Sequence, residues 1–229
     1  MNYIFEKFKY LKVTAWRFRQ HLPEKCVLML MPLWINSRHA IPVFWWLRRR
    51  LGFLFMPTQL VSVVRTIRAS SRCNLAVFGV GHDTLIWKFA NRSGRCVFFE
   101  HSKDWAGKTL ARLGRLEIYI VDYGTRVDDW RKWMANPDPL GLPLPDNVAD
   151  TSWDVVIVDG PPGGRGIDPG RMRSIVTARS MVAPSGHIFV DDCDRTVEQE
   201  FCRVYLGEEN LVDAIFDRTL MKHYQFNNR

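Results

Sequence analysis

Carboxylates fall at the ends of successive apolar runs in this chain. Glu100 closes Cys96–Glu100, Asp122 follows Glu117–Val121, Asp159 closes Trp153–Asp159, and Asp191 with Asp192 closes Gly186–Asp191. In an open α/β sheet, ligands gather at the carboxyl ends of the strands. A single acid there is explained by chance or by a helix cap. Several of them mark a candidate cleft. Asp159, Asp191 and Asp192 fit two kinds of chemistry. As hard oxygen donors they suit a divalent ion such as Mg²⁺, Mn²⁺ or Co²⁺, which would hold and acidify a hydroxyl. As crowded like charges they raise one another's pKa, and one of them then suits a general base. His82 is a fourth catalytic candidate, as base or ligand. Its plainer reading is a histidine bonded to backbone at a helix start. His187, inside a strand, reads as structural, and Asp194 reads as a helix cap.

A glycine turn lies among these acids. The run Leu75–Thr84 is an apolar strand ending in Gly79-Val80-Gly81, followed by a helix-like segment, with Glu100 about 20 residues on. Glycines there let backbone approach a ligand closely. Phe78, Gly79, Gly81, His82, Glu100 and Asp159 are therefore the candidate cofactor-binding residues, with Glu100 placed to accept hydrogen bonds from ribose hydroxyls. Thr84 stands where a dinucleotide fingerprint has its third glycine. That favours S-adenosylmethionine, which has no pyrophosphate to cradle. The loop Gly160–Gly166 carries Arg165, and Arg171 follows it. Guanidinium forks of this kind clamp carboxylates, so both are candidate substrate-binding residues, whereas Arg173 reads as surface charge. Asp-Gly-Pro-Pro at 159–162 departs from the Asp-Pro-Pro-Tyr motif of amino-methyltransferases on nucleic acid, because a glycine intervenes and no aromatic follows Pro162.

The elements that must position these residues alternate. Strands are expected at 75–79, 96–100, 117–121, 153–159, 186–191, 211–216 and 219–226. Asp217-Arg218 joins the last two as a hairpin. Thr58, Asp104 and Asp168 are expected to cap helices. A helix after Asp194 should place Val197, Phe201, Val204 and Tyr205 on one side. The stretch holding Pro137, Pro139, Pro143 and Pro145 reads as a loop long enough to suspect function, and 136–150 as a candidate lid. Parallel strands crossing over helices, then an antiparallel hairpin, is the Rossmann-like class I methyltransferase architecture, a mostly parallel seven-stranded sheet. Residues 1–57 read as a basic, aromatic, helical N-terminal extension broken at Pro23, Pro32, Pro42 and Pro57. Residues 58–229 read as the methyltransferase domain.

The 229 residues carry a net charge of +8, which suits an anionic partner. Solubility is the plainer account. Five cysteines without a CxxC pair read as reduced, as in a cytoplasmic protein, rather than as a disulfide framework. No secretory signal is evident. The apolar runs of 26–47 are split by Asn36-Ser37-Arg38-His39, which argues against a spanning helix. Trp34, Trp45 and Trp46 beside Arg48–Arg50 suit peripheral membrane contact through 26–50, or packing on the rest of the chain. A non-catalytic basic module for membrane or nucleic acid is the alternative of another class. No nucleic-acid reader motif supports the latter, and oligomeric state is open.

Five segments in order resemble the glucuronoxylan 4-O-methyltransferase-like family, the polysaccharide-biosynthesis domain of plant xylan proteins. They are Val77–Asp83, Phe98–Glu100, Trp153–Pro161, Pro169–Met172 and Asp191–Arg195, within about 57–226. The resemblance implies a class I fold, S-adenosylmethionine as methyl donor, and transfer to O-4 of a glucuronic acid residue in a polysaccharide. It would put Gly79, Gly81 and Glu100 on the cofactor, Asp159 and Asp192 at the acceptor hydroxyl, and Arg171 at or near the substrate. The chain departs from the plant pattern at three places. Its apolar N-terminal segment is broken where the plant proteins have a membrane anchor, Asp191 replaces a histidine, and 124–150 differs. Those departures leave a microbial glycan or a small-molecule acceptor, methylated with metal assistance, as the second reading.

Overall fold

The structure is a computed structural model that describes residues 23–136 and 140–227. Seven strands form one sheet in the order β3-β2-β1-β4-β5-β7-β6. They are β1 (Leu75–Phe78), β2 (Cys96–Glu100), β3 (Glu117–Ile120), β4 (Trp153–Val158), β5 (Val182–Val190), β6 (Leu211–Phe216) and β7 (Leu220–Gln225). The pairs among β1 to β5 are parallel, and β7 runs antiparallel to both β5 and β6. β1 and β4 read as continuous apolar runs because helices cover both faces of the sheet. Alternate side chains enter different cores. Leu75, Val77, Val155 and Ile157 join one buried cluster, while Ala76, Phe78, Val156 and Val158 join the other.

The first face is covered by α1 (Glu24–Met29), α2 (Met31–Trp34), α3 (Ala40–Leu51), α4 (Pro57–Ala69) and α5 (Thr84–Ala90). Prolines open these helices: Pro32 lies in the first turn of α2, Pro42 in that of α3, and Pro57 starts α4. Their missing N–H groups cost nothing there. Gly52 ends α3 in the left-handed conformation at φ 71°, the usual stop signal. Val43, Phe44 and Leu47 of α3 are buried, while Ile41 and Trp45 on its other side are exposed. The Trp34 indole donates to the Val27 carbonyl at 3.0 Å, and its ring meets Phe44 edge-on at 5.1 Å. Among the described residues no helix is long and apolar enough to cross a membrane. Residues 1–22 of the expected extension, and Pro137 and Pro139, lie outside the described residues.

On the second face lie α9 (Met172–Met181) and α10 (Thr196–Phe201), with the segment between β3 and β4. That segment is more ordered than a loop reading allows. It contains a 3₁₀ turn (Val127–Asp129), α7 (Trp130–Ala135) and α8 (Asp146–Ala149).

The expected caps are replaced by other bonds, tertiary for Thr58 and Asp194 and local for the rest. Thr58 donates to the Asp217 carboxylate at 3.0 Å, and Met56 occupies the cap position of α4. Ser102, not Asp104, caps α6 (Lys103–Leu113) by accepting from the Trp105 N–H. Asp168 starts no helix. It accepts from the Arg165 N–H at 2.8 Å, and α9 begins at Met172 after a turn with Gly170 at φ 72°. Asp194 accepts from the Leu220 N–H at 3.2 Å rather than capping α10. The chain after α10 widens into a π turn over Cys202–Leu206. That buries Cys202 and Leu206 and leaves Val204 exposed, against the regular helical spacing. β5 begins four residues earlier than its apolar core, since Val182–Ser185 has little burial to betray it.

The packing of α3 gives a direct test. Phe44 is fully buried between Trp34 and the sheet-covering cluster. Phe44→Ala should cost about 3–5 kcal/mol in urea unfolding. A cost near zero would mean that α3 adds nothing to this core.

Candidate active site

The glycine turn is shaped by a close meeting of two strand ends. Gly79 follows β1 at φ 105°, a conformation that disfavours side chains. A Cβ on Gly160, just after β4, would lie 2.9 Å from the Gly79 Cα. Neither position has room for a side chain, because the obstacle is backbone. The Gly160–Pro161 peptide is cis. The turn is pinned by Glu100 at the end of β2, whose carboxylate accepts from the Val80 N–H at 3.1 Å and the Ser102 N–H at 2.8 Å. The His101 ring lies 2.8 Å from the same group. Trp105 donates its indole N–H to the Val80 carbonyl at 2.5 Å.

These residues open onto a cavity of about 390 Å³ lined by Gly79, Glu100, His101, Trp105, Tyr123 and Asp159. Its size suits a small-molecule ligand. A second cavity of about 610 Å³ adjoins it, and Val80, Trp105, Asp159 and Pro162 line both. Gly81, His82, Asp83, Asp191, Asp192 and Arg218 are among the residues that wall the second cavity.

A buried guanidinium organises the acids around that wall. Arg171 donates to the Asp191 carbonyl at 2.5 Å and to the Asp159 carbonyl at 3.2 Å and carboxylate at 3.1 Å. It also pairs with Asp192 at 2.6 Å, and Arg195 reaches the same Asp192 oxygen at 2.9 Å. Asp192 holds a left-handed backbone at φ 58°. Asp tolerates that region better than most residues, and here it turns the carboxylate toward both arginines. Asp191 is held from another direction. It accepts from Thr219 Oγ1 at 3.0 Å and from Gln59 Nε2 at 3.4 Å, and Gln59 in turn accepts from the Met56 N–H.

Charge crowding then sets the proton affinities. Burial pushes the Asp159 carboxyl well above the usual range, partly offset by Arg171 and reinforced by Asp83, Asp191 and Asp192. Burial likewise raises Asp191 and Glu198, again against Arg171. Asp83 is raised to about 6, chiefly by burial, with Asp191 adding to it. Burial disfavours the Arg171 cation, but Asp159, Asp192, Asp191 and Glu198 outweigh that cost and keep it charged.

The expected residues are thus largely brought together, though not all in the expected way. Glu100, Gly79 and Asp159 line the first cavity, and Gly81, His82, Asp191 and Asp192 line the second. His82 is exposed, with its ring edge-on to Trp105 at 5.8 Å. Gly81 is small because a Cβ there would sit 2.6 Å from the Asp83 carboxylate. Phe78 has no access to the cavity. Its side chain is in the core, stacked on Phe99, and its carbonyl accepts the Asp159 N–H. Arg165 does clamp a carboxylate with its fork, but the carboxylate is Asp168 of its own loop, at 3.0 and 2.8 Å. Arg171 lines the second cavity with its guanidinium already engaged by Asp159 and Asp192. Arg173 is not free surface charge, since it donates to the Leu140, Gly141 and Tyr123 carbonyls. Asp122 accepts from the Gly124 N–H in an exposed turn, apart from the cluster. His187 bonds His223 at 3.0 Å, as befits a structural role.

Sequence reasoning passed over Asp83, Gln59, Thr219, Arg195 and Trp105. Asp83 had a signal, lying directly after His82 in the glycine turn. Gln59 had none, because it comes from a helix 132 positions before Asp191.

Asp83 yields a test with a definite sign. A carboxyl with a raised folded-state pKa costs stability once ionised, fully above about pH 6 and not at all below about pH 4. Asp83→Asn should therefore stabilise the protein by about 1–3 kcal/mol near pH 8 and give no gain near pH 4, read by thermal unfolding. Equal effects at both pH values would show that the charge is not the cause.

The sheet order, the antiparallel β7 and the cavity at the ends of β1, β2 and β4 define the Rossmann-like class I methyltransferase fold. A putative caffeoyl-CoA O-methyltransferase from Staphylococcus aureus shares it with a TM-score of 0.52 at 12% identity, over 88% of this chain and 98% of that one. The MycE methyltransferase of mycinamycin biosynthesis, solved with Mg and SAH, gives 0.51 at 14% identity, over 80% of this chain and 53% of that one. The chain belongs to the IRX15/IRX15L/GXM family, whose profile matches residues 58–139 and 138–224. Among relatives from Arabidopsis thaliana, Protein IRX15-LIKE is 36% identical over 182 residues, 69% of this chain and 56% of that protein. Glucuronoxylan 4-O-methyltransferase 3 is 36% identical over 171 residues, 64% of this chain and 58% of that protein. The matched region spans a little over half the length of these relatives.

Proposed function

We propose that this chain is an S-adenosylmethionine-dependent O-methyltransferase acting on O-4 of a glucuronic acid residue in a glycan. The observation that carries this reading is the pair of adjoining cavities with Asp159 in the wall of both. One cavity has the glycine turn and Glu100, which suit a nucleoside. The other has the carboxylate cluster, which suits a reacting hydroxyl. The relatives named glucuronoxylan 4-O-methyltransferase support the acceptor class.

The residues present fit the methyl donor. Glu100 is placed to accept from ribose hydroxyls, the turn at Gly79 lines the cavity beside it, and Trp105 and Tyr123 offer ring surface. Bound there, S-adenosylmethionine supplies a methyl group on a positively charged sulfonium. The neighbouring carboxylates set a negative potential at the junction of the cavities, which favours a cationic donor. Asp159 keeps 31% of its side-chain surface open and is placed to take the acceptor proton as the new O–C bond forms. A sugar hydroxyl is a weak acid, so Asp159 works best with its raised proton affinity. Arg171 and Arg195 hold Asp192 in place, while Gln59 and Thr219 hold Asp191.

The tests separate binding from chemistry. Asp159→Asn should keep its affinity for S-adenosylhomocysteine, which lacks the sulfonium charge, in calorimetry while transfer falls about 10²–10⁴-fold. Normal turnover by that variant would remove Asp159 from the mechanism. Glu100→Gln should instead weaken donor binding about 10–100-fold, the size of a lost hydrogen bond to a charged group. In the wild type, turnover should rise with pH through an inflection above the ordinary carboxylate range, because the base must be ionised.

A second reading is metal-assisted transfer to a small-molecule hydroxyl. Asp159, Asp191 and Asp192 support it, offering carboxylate oxygens within 4.8 Å of one another. They would hold a divalent ion that acidifies the hydroxyl. Arg171 and Arg195 compete with it for Asp192. Loss of transfer on exhaustive chelation, restored by Mg²⁺, Mn²⁺ or Co²⁺, would favour this reading, and unchanged turnover would end it.

A further inference from the structure

Three arginines line the second cavity, Arg171, Arg195 and Arg218. Two of them are committed. Arg171 is buried against Asp159 and Asp192, and Arg195 pairs with Asp192. Arg195 has one nitrogen without a partner, but that atom is buried and packs near Gly163, under the loop. Arg218 is different. It is exposed, and no hydrogen bond or ion pair engages it among the described residues.

Its position is nonetheless fixed. Arg218 sits in the turn between β6 and β7, and both its neighbours are tied down. Asp217 accepts from Thr58 of α4 at 3.0 Å, and Thr219 donates to the Asp191 carboxylate at 3.0 Å. The stem of Arg218 therefore starts one residue from a group that is itself bonded to the acid cluster. Leu54, 78% exposed, lines the same cavity with Phe53 and Phe55. Such a wall combines a free cation with apolar surface.

The floor of this cavity is acidic, with Asp83, Asp159, Asp191 and Asp192 in its lining. An anionic acceptor brought to that floor meets repulsion unless a cation faces it from the rim. Arg171 cannot turn to it without abandoning the buried acids. We propose that Arg218 is the specificity-determining residue that pairs with the acceptor's carboxylate, selecting a uronic acid over a neutral sugar. This rests on the reading of the site as a uronate O-methyltransferase. Guanidinium and carboxylate form two parallel charge-assisted bonds, which hold the acceptor ring in one orientation.

The test uses two acceptors and two variants of the full chain. One acceptor is an oligosaccharide bearing glucuronic acid, and the other is the same compound with its carboxyl reduced to an alcohol. With donor at saturation, wild type should prefer the acid. Arg218→Ala should raise KM for the acid about 10–100-fold with kcat within about threefold, and leave KM for the reduced acceptor unchanged. Arg218→Lys should recover part of the loss, and donor affinity should match wild type in both variants. If Arg218→Ala keeps the wild-type preference for the acid, the assignment to Arg218 is wrong while the uronate reading stands. An equal loss on both acceptors would mean damage to the shape of the site and would also overturn the assignment. If wild type itself shows no preference between the acceptors, the uronate reading fails and the assignment falls with it.

Discussion

The site depends on one buried cation. Arg171 bridges the carboxyl ends of β4 and β5 by bonding the Asp159 and Asp191 carbonyls, and it neutralises Asp159 and Asp192 at the same time. Without it, acids at adjacent strand ends would face one another in a low-dielectric wall, where removing one partner of a buried pair costs about 3–5 kcal/mol. The guanidinium thus lets a parallel sheet gather several carboxylates at one place. It also keeps them in unequal states. Burial and crowding raise the proton affinity of Asp159, Asp191 and Asp83 against the pull of Arg171, which is the condition under which one carboxyl can serve as a base near neutral pH.

Much of the surrounding backbone exists to deliver Arg171. The chain leaves β4 through Asp159, Gly160 and a cis proline, then runs as a loop to Gly170. That loop is strapped to the segment after β3. Val127 and Asp128 donate to the Asp168 and Gly166 carbonyls, and Thr125 donates to the Pro169 carbonyl. A Cβ on Gly166 would overlap the Asp128 carboxylate unless that exposed side chain moved. Arg165 and Asp168 close the loop on itself. The arginine that reads as a substrate clamp is therefore the latch of the loop, and the next one along is the pillar of the site.

The acids at the strand ends were legible because two rules sufficed: apolar runs mark strands, and parallel strands end on one side of the sheet. Sheet order sets Asp159 and Asp191 side by side at the ends of β4 and β5, while Asp122, beyond the edge strand β3, stays apart. What charge patterns do not reveal is who pairs with whom. Arg165, Arg171 and Arg218 look alike in a sequence. Burial and local bonding make the first a latch, the second a structural cation and the third an exposed group without a partner among the described residues. Phe78 shows the same limit, since its position beside the glycine turn is right but strand alternation sends its side chain into the core. Caps were misread for a related reason. Thr58 and Asp194 have good capping chemistry, yet tertiary partners at Asp217 and Leu220 outbid the local ones. Gln59 lay beyond reach, because no local pattern announces a helix residue that serves an acid more than a hundred positions away.

The helices before β1 also bear on chemistry. Helix α4 sends Gln59 to Asp191 and Thr58 to the β6–β7 turn, and the residues just before it, Phe53–Phe55, wall the second cavity. One edge of the site is therefore built from the segment before β1 and another from the β6–β7 turn, and the two are bonded to each other through Thr58 and Asp217. The net charge of +8 suggested an anionic partner, but the cavity floor is acidic. Global charge and local field have opposite signs here. An anion attracted by the whole molecule would still be repelled by the floor, which leaves the rim, where the segment before β1 meets the β6–β7 turn, as the place for a compensating cation.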